Sequence, residues 1–228
     1  MFKLSRSSKM KHLAEILNLK RNEVASADLV CGYTCPCADK CKSYANKKTG
    51  YITDSKNCEY RCYGTSLEAA FPSVRALHWN NYDLVRNAKT ADKMTDVILP
   101  AISDYVKVLR VHSFGDFFND NYFQAWLNVA EKLPHISFFA YTKVLPYLKV
   151  PRPDNFSMVY SYGGIMDKFV TDEPVAYVIN SVADCEKLGI PASCQVNKAD
   201  DYNYVLAKKS FGLVLHGNQP VGAMAMTA

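Results

Sequence analysis

Hydrophobic positions fall into two rhythms along this chain. Between residues 9 and 19, Met10, Leu13, Ile16 and Leu17 recur at helical spacing and predict a short amphipathic helix. The following stretch, EVASADLV, reads as a strand that delivers the chain into a cysteine-rich loop. KKTGYITDSKN, with its glycine, asparagine and aspartate, reads as a loop. From Ser66 onward, Leu67, Ala70, Phe71, Val74 and Leu77 predict a longer helix, with Pro72 accommodated in its first turn.

Downstream, apolar runs recur as strands: VKVLRVH (106–112), ISFFAYT (136–142), FSMVYS (156–161), VAYVIN (175–180) and FGLVLHG (211–217). Between the first two, NDNYFQAWLNVAEKL predicts a helix capped by Asn119 or Asp120, with Tyr122, Phe123, Trp126 and Val129 on one face. SVADCEKLG begins on a serine with an acid three residues later and ends at Gly189, the signature of a capped short helix. Strands alternating with helices predict an α/β fold, a mainly parallel sheet with covering helices, open or closed into a barrel. No internal repeat or linker interrupts it, which predicts a single domain over 1–228. Its parts are an N-terminal helix within 1–22, a cysteine-rich loop at 31–62 and βα repeats over 66–220.

In parallel α/β sheets, ligands bind at the carboxyl ends of the strands. Here each apolar run ends in groups capable of chemistry: His112, Ser113, Gly115 and Asp116, then Tyr141, Thr142 and Lys143. Ser161, Asn180 and Ser181 follow, although serine and asparagine begin helices and turns without any ligand. The last run ends in His216, Asn218 and Gln219. His112, Asp116, Lys143 and His216 are the candidate pocket residues.

Composition narrows the class without choosing a reaction. Apolar residues make up 49% and charged residues 21%, as in a globular protein, and no apolar run approaches the length of a membrane span. The N-terminus has basic residues but no continuous apolar core or small-residue cleavage site, so the expected location is the cytoplasm. The net charge of +5 is dispersed along the chain, a pattern of solvated surface more than of a nucleic-acid patch.

Cysteine is the exception to this evenness. Six of the eight lie between residues 31 and 62, spaced Cys31-x3-Cys35-x-Cys37-x3-Cys41 and Cys58-x3-Cys62. In a reducing compartment such a cluster points to metal before disulfides. Paired C-x2-C knuckles of zinc sites are absent, whereas iron–sulfur clusters accept more varied spacings. Three thiolates would leave one iron open to another ligand. The alternative is that some of these thiols pack as small hydrophobes. Cys185 and Cys194 stand apart and read as unliganded.

TCPCADKCKSYA, YRCYGTSLEAAFPSVRALHWNNYDLV, RVHSFGDFFNDNYFQAW, FFAYTKVLPY and FGLVLHGNQPVG, in this order, resemble the phage gene product 88 family. The matched cysteines are Cys35, Cys41 and Cys62, which the resemblance implies as metal ligands. Cys31, Cys37 and Cys58 are additions, any of which could supply a fourth thiolate. If phage-encoded, the protein would act in the host cytoplasm. The order of segments is also distantly similar to radical S-adenosylmethionine enzymes, which are partial (β/α)6 barrels. That similarity implies a partial-barrel fold and a cofactor role for Ser113, Gly115 and Asp116. It implies S-adenosylmethionine as a further cofactor, which the cysteine spacing does not support. The expectation is thus a phage-encoded 4Fe-4S protein, radical-SAM-like or redox in chemistry, with a substrate the sequence does not name. The competing readings are a zinc or iron–sulfur binding module for a host protein or nucleic acid, and a zinc-dependent hydrolase using His112 or Asp116.

Overall fold

The computed structural model describes residues 1–181, 183–190, 195–196, 201–215 and 219. The chain opens with helix α1 (Ser8–Ile16) and strand β1 (Val24–Ala27), followed by two short strands, β2 (Ser43–Ala45) and β3 (Ile52–Asp54). Three helices come next, α2 (Tyr63–Ala70), α3 (Pro72–Ala88) and α4 (Ala91–Ile98). The remainder alternates: β4 (Val108–Val111), α5 (Asp120–Lys132), β5 (Ser137–Thr142), β6 (Phe156–Ser161) and β7 (Val175–Ile179). It ends with α6 (Ala183–Lys187), β8 (Gln195–Val196), α7 (Asp201–Leu206) and β9 (Phe211–Val214).

Seven strands form one sheet in the order β1-β4-β5-β6-β7-β9-β8, and every pairing in it is parallel. Six of them follow one another as the expected partial (β/α) barrel, and the two-residue β8 pairs with β9 at the edge. Both faces are covered, so the strands read as continuous apolar runs. On one face Leu109, Val111, Phe138 and Met158 pack with Trp126 of α5, Val85 of α3 and Met94 of α4. On the other, Val108, Phe139, Val159 and Ala176 pack with Met10 and Leu13 of α1 and Val205 of α7. Neighbours such as Phe138 and Phe139 point into opposite cores because the side-chain period of a strand is two.

Local signals placed most elements well. Asn119 caps α5, its side chain accepting the Tyr122 N–H at 2.9 Å. Two expectations need correcting. KKTGYITDSKN is not simply a loop, because Ile52–Asp54 pairs antiparallel with Ser43–Ala45 as a small hairpin. The helix expected from Ser66 is two helices. Phe71, preceding Pro72, adopts an extended conformation (φ −120°, ψ 99°), as the proline ring demands of its predecessor. Pro72 then starts α3 as its first residue. The stripe Phe71, Val74 and Leu77 is not the buried one; Phe71 is 52% exposed, while Arg75, His78, Asn81 and Val85 face inward. Between β5 and β6 the crossover is only a 3-10 turn, Leu145–Lys149. Among the described residues, no helix is long and apolar enough to cross a membrane.

Candidate functional site

The carboxyl ends of the parallel strands converge on one cavity of about 200 Å³. Cys35, Cys41 and Cys62 line it from the cysteine segment, and His112, Ser113, Gly115 and Asp116 from the end of β4. Lys143 enters after β5, Ser161 from β6, and Val178, Leu213, Val214 and Leu215 from β7 and β9.

Several contacts bend the cysteine segment over this edge. Gly32 turns the chain at φ +73°, where a Cβ would lie 2.3 Å from the Ser43 carbonyl oxygen. The Asp28 carboxylate ties β1 to the β4 loop, its Oδ1 accepting the N–H groups of Ser113 (2.8 Å) and Phe114 (3.3 Å). The β2–β3 hairpin carries the chain out and back to Cys62, which precedes α2. Gly64 lets α2 approach closely, since a Cβ there would sit 2.3 Å from Cys31 Sγ and 2.4 Å from Phe114 Cδ1. Gln219 closes the segment from the far end of the sequence. Its Oε1 accepts the Arg61 N–H at 2.8 Å, and its Nε2 donates to the Arg61 carbonyl at 3.0 Å.

The four inner thiols differ in character. Cys62 is drawn down to about 7 by a hydrogen bond from Cys31 and by the N–H groups of Thr65 and Gly64 at the start of α2, against burial. Cys31 is pushed well up by that same bond and by burial. It lies behind Cys62, against Gly64, and does not line the cavity. Burial pushes Cys35 well up, with Asp116 and the neighbouring thiols adding to it. Cys41 is pushed up to about 11 by burial, with the Lys143 ammonium opposing. Cys37 and Cys58 are set aside from the cavity; Cys58 Sγ donates to the Tyr60 carbonyl at 3.2 Å. Cys185 lies on the other face of the sheet, in the core with α1 and α7.

Among the described residues, no three His, Cys, Asp or Glu side chains close to the spacing of a single metal ion. Thiolates around one zinc stand about 4 Å apart, as bonds of ~2.3 Å in a tetrahedron require. The three cavity thiols share an opening without forming the shell of a single ion.

The polar residues of the rim are specifically held. His112 has φ +69°, unusual for a residue with a side chain, and its Nε2 meets the Tyr122 hydroxyl at 3.1 Å. Burial and the Arg110 charge hold its pKa down to about 3. Burial raises Asp116 to about 6, although its oxygens accept the N–H groups of Phe117 (2.7 Å) and Lys143 (2.9 Å). Lys143 Nζ donates to Ser161 Oγ and carbonyl oxygen and to the Tyr162 carbonyl, all neutral acceptors. His216 and Cys194 lie outside the described residues.

The sequence reading therefore brought together Cys35, Cys41, Cys62, His112, Ser113, Gly115, Asp116 and Lys143. It missed Tyr60, Arg61, Tyr63 and Arg110, which also line the cavity. For Arg110 a signal existed: a charge in the middle of the apolar run VKVLRVH, where both faces of the strand are buried. The tyrosines carried none.

Comparison with known proteins agrees with the motifs. The family profile described as "Gene product 88" matches residues 3–227. The "Gene 88 protein" of Mycobacterium phage L5 is 31% identical over 116 residues, 46% of this chain and 48% of that protein. Its counterpart from Mycobacterium phage D29 is 30% identical over the same length and shares. The matched region thus spans about half the length of these curated relatives. No solved structure matches the chain. With the family profile covering nearly every residue, the chain belongs to the gene product 88 family of phage proteins.

Proposed function

We propose that this is an iron–sulfur protein in which Cys35, Cys41 and Cys62 ligate a 4Fe-4S cluster at the mouth of the partial barrel. The observation that carries the reading is that these three thiols, scattered over 28 residues of sequence, line one cavity at the ligand-binding edge of a parallel sheet. The surroundings favour such a group. Cys62 is already inclined to the thiolate form by the start of α2, and Lys143 offers positive charge beside Cys41. Cys31 donates to Cys62 from behind, the kind of hydrogen bond that tunes a cluster's potential. A cluster in this position would supply electron transfer or an open iron for a small molecule. The chain's own residues would orient that molecule and keep out water. A narrow cavity edged by buried polar groups suits a small ligand better than a host protein or nucleic acid.

Asp116, the residue matched to a cofactor-binding acid, has both oxygens engaged by backbone N–H groups. Its part in this reading is to hold the β4 and β5 loops together at the rim.

Anaerobically purified protein should be brown, absorb broadly near ~400 nm and contain about four irons and four acid-labile sulfides per chain. Each of Cys35→Ser, Cys41→Ser and Cys62→Ser should abolish the colour, whereas Cys185→Ser should keep it. Colourless, iron-free anaerobic protein would falsify the reading.

A further inference from the structure

The end of β4 holds a histidine in a strained and closely specified pose. His112 has φ +69°, which costs a residue with a side chain about 1–2 kcal/mol. Two hydrogen bonds fix it there: its N–H donates to the Ala27 carbonyl at 3.0 Å, and its carbonyl accepts from Arg110 Nε at 3.2 Å. Strain of this kind gathers at ligand sites. The residue is 3% exposed and lines the cavity, yet its Nδ1 meets no partner among the described residues. The next residue repeats the pattern, since Ser113 lines the same cavity and its buried Oγ has no partner among the described residues. Native proteins rarely leave such groups unmatched.

The far side of the ring decides where the imidazole proton sits. His112 Nε2 lies 3.1 Å from the Tyr122 hydroxyl, and Tyr122 is fully buried. That hydroxyl has one proton to place. The Trp126 indole N–H beside it can only donate, so Nε2 is the acceptor that meets the proton among the described residues. With Nε2 accepting, a neutral ring carries its own proton on Nδ1. The opposite tautomer would leave two groups unmet, the Tyr122 proton and the Nδ1 lone pair; this one leaves only the Nδ1 N–H. Burial and the Arg110 charge keep the ring neutral. His112 therefore brings a hydrogen-bond donor to the cavity.

Charge does not call for an anion here. Of the cavity's cations, Arg110 is met by Asp201 and Lys143 acts on Asp116, while Cys62 inclines to the thiolate form. Lys9, which also reaches Asp201, does not line the cavity. We propose that the cavity binds a small neutral carbonyl compound. Its oxygen accepts from His112 Nδ1 and the Ser113 hydroxyl, and its apolar body lies along Val178, Leu213 and Leu215. The inference rests on reading this cavity as the ligand side of the cluster site and adds a chemical class and a donor pair to it. A carbonyl oxygen offers two lone pairs and no proton, the complement of two unmet donors, whereas an ammonium would set donors against donors.

The test joins calorimetric titration of the anaerobic full-length protein with nitrogen NMR of the same protein isotopically labelled at histidine, with iron and sulfide assayed on each sample. The His112 signals, identified by their loss in His112→Asn, should show Nδ1 protonated and Nε2 bare. Cyclohexanone should move the Nδ1 signal. It should also bind at least about tenfold more tightly than cyclohexylammonium, which leaves both donors unmet, or cyclohexanecarboxylate, which buries an unanswered charge. Ser113→Ala should weaken cyclohexanone about fivefold, because it removes one hydrogen bond to the oxygen. That hydroxyl has no internal partner among the described residues, so the variant should fold as the parent does. A proton found on Nε2, either ion binding as tightly as the ketone, or Ser113→Ala binding unchanged would each overturn the proposal. Cyclohexanone binding by protein that carries no iron would refute the cluster and leave the carbonyl site standing. Iron-loaded protein that ignores cyclohexanone would do the reverse.

Discussion

Gly64→Ala adds a single methyl group where α2 meets the thiols. The new Cβ would lie 2.3 Å from Cys31 Sγ and 2.4 Å from Phe114 Cδ1, against 3.4 Å for ordinary contact. Either both side chains move by about 1 Å or α2 tilts away, carrying Cys62 with it; both Cys31 and Phe114 are buried. Overpacking of this kind costs about 1–3 kcal/mol, and the better helix propensity of alanine returns at most ~1 kcal/mol. The net loss should be about 1–2 kcal/mol, which lowers the melting temperature of a chain this size by roughly 2–8 °C. Stability alone does not test the site, so iron content after anaerobic reconstitution is the second readout. Gly189→Ala is the control. It meets nothing within 4 Å and carries only backbone strain at φ +65°, about 1 kcal/mol, so it should lose stability yet keep its iron. Gly64→Ala protein with the parent's melting temperature and full iron would refute the claim that α2 must approach this closely to present Cys62.

Other substitutions probe the supports of the site. His112 has a depressed pKa in the folded state, so its contribution to stability is present above the unfolded value of 6.5 and is lost as pH falls toward about 3. Between pH 7 and pH 5 that loss is about 2 kcal/mol at ~1.4 kcal/mol per pH unit, and His112→Asn, which tolerates positive φ, should flatten it in urea titrations. Glu68 Oε1 accepts the Cys31 N–H at 3.0 Å and meets His78 Nδ1 at 2.7 Å, all fully buried, so Glu68→Ala leaves that N–H without its acceptor and should cost about 1–3 kcal/mol in chemical unfolding. Gln219→Ala removes both hydrogen bonds to the Arg61 backbone and should cost about 1–2 kcal/mol, with faster proteolysis around Arg61 as the local signature.

Much of the fold was legible along the chain. Continuous apolar runs and capping residues such as Asn119 are local signals, and they placed β4 to β7 and α5 within a residue or two and the start of β9 at Phe211. The hairpin of β2 and β3 escaped because three-residue strands with half-exposed faces carry no clear period. The unequal burial along α3 escaped for another reason. Its inward face is polar, with Asn81 donating to the Lys3 and Asp28 carbonyls and Arg75 to that of Glu68, and hydrophobic periodicity cannot see hydrogen-bonded burial.

The sequence by itself determined that a set of strand-terminal polar residues would meet, because parallel strands all deliver their carboxyl ends to one edge. Only the tertiary structure decided which thiols face the cavity and which stand behind it. Cys31 and Cys35 are four residues apart, yet one lies beneath α2 and the other opens to the pocket. The same holds for Arg110, whose guanidinium is positioned by Asp201 and by the His112 carbonyl. Spacing along the chain reports reach; direction comes from what packs around each side chain, and that is set by residues distant in sequence.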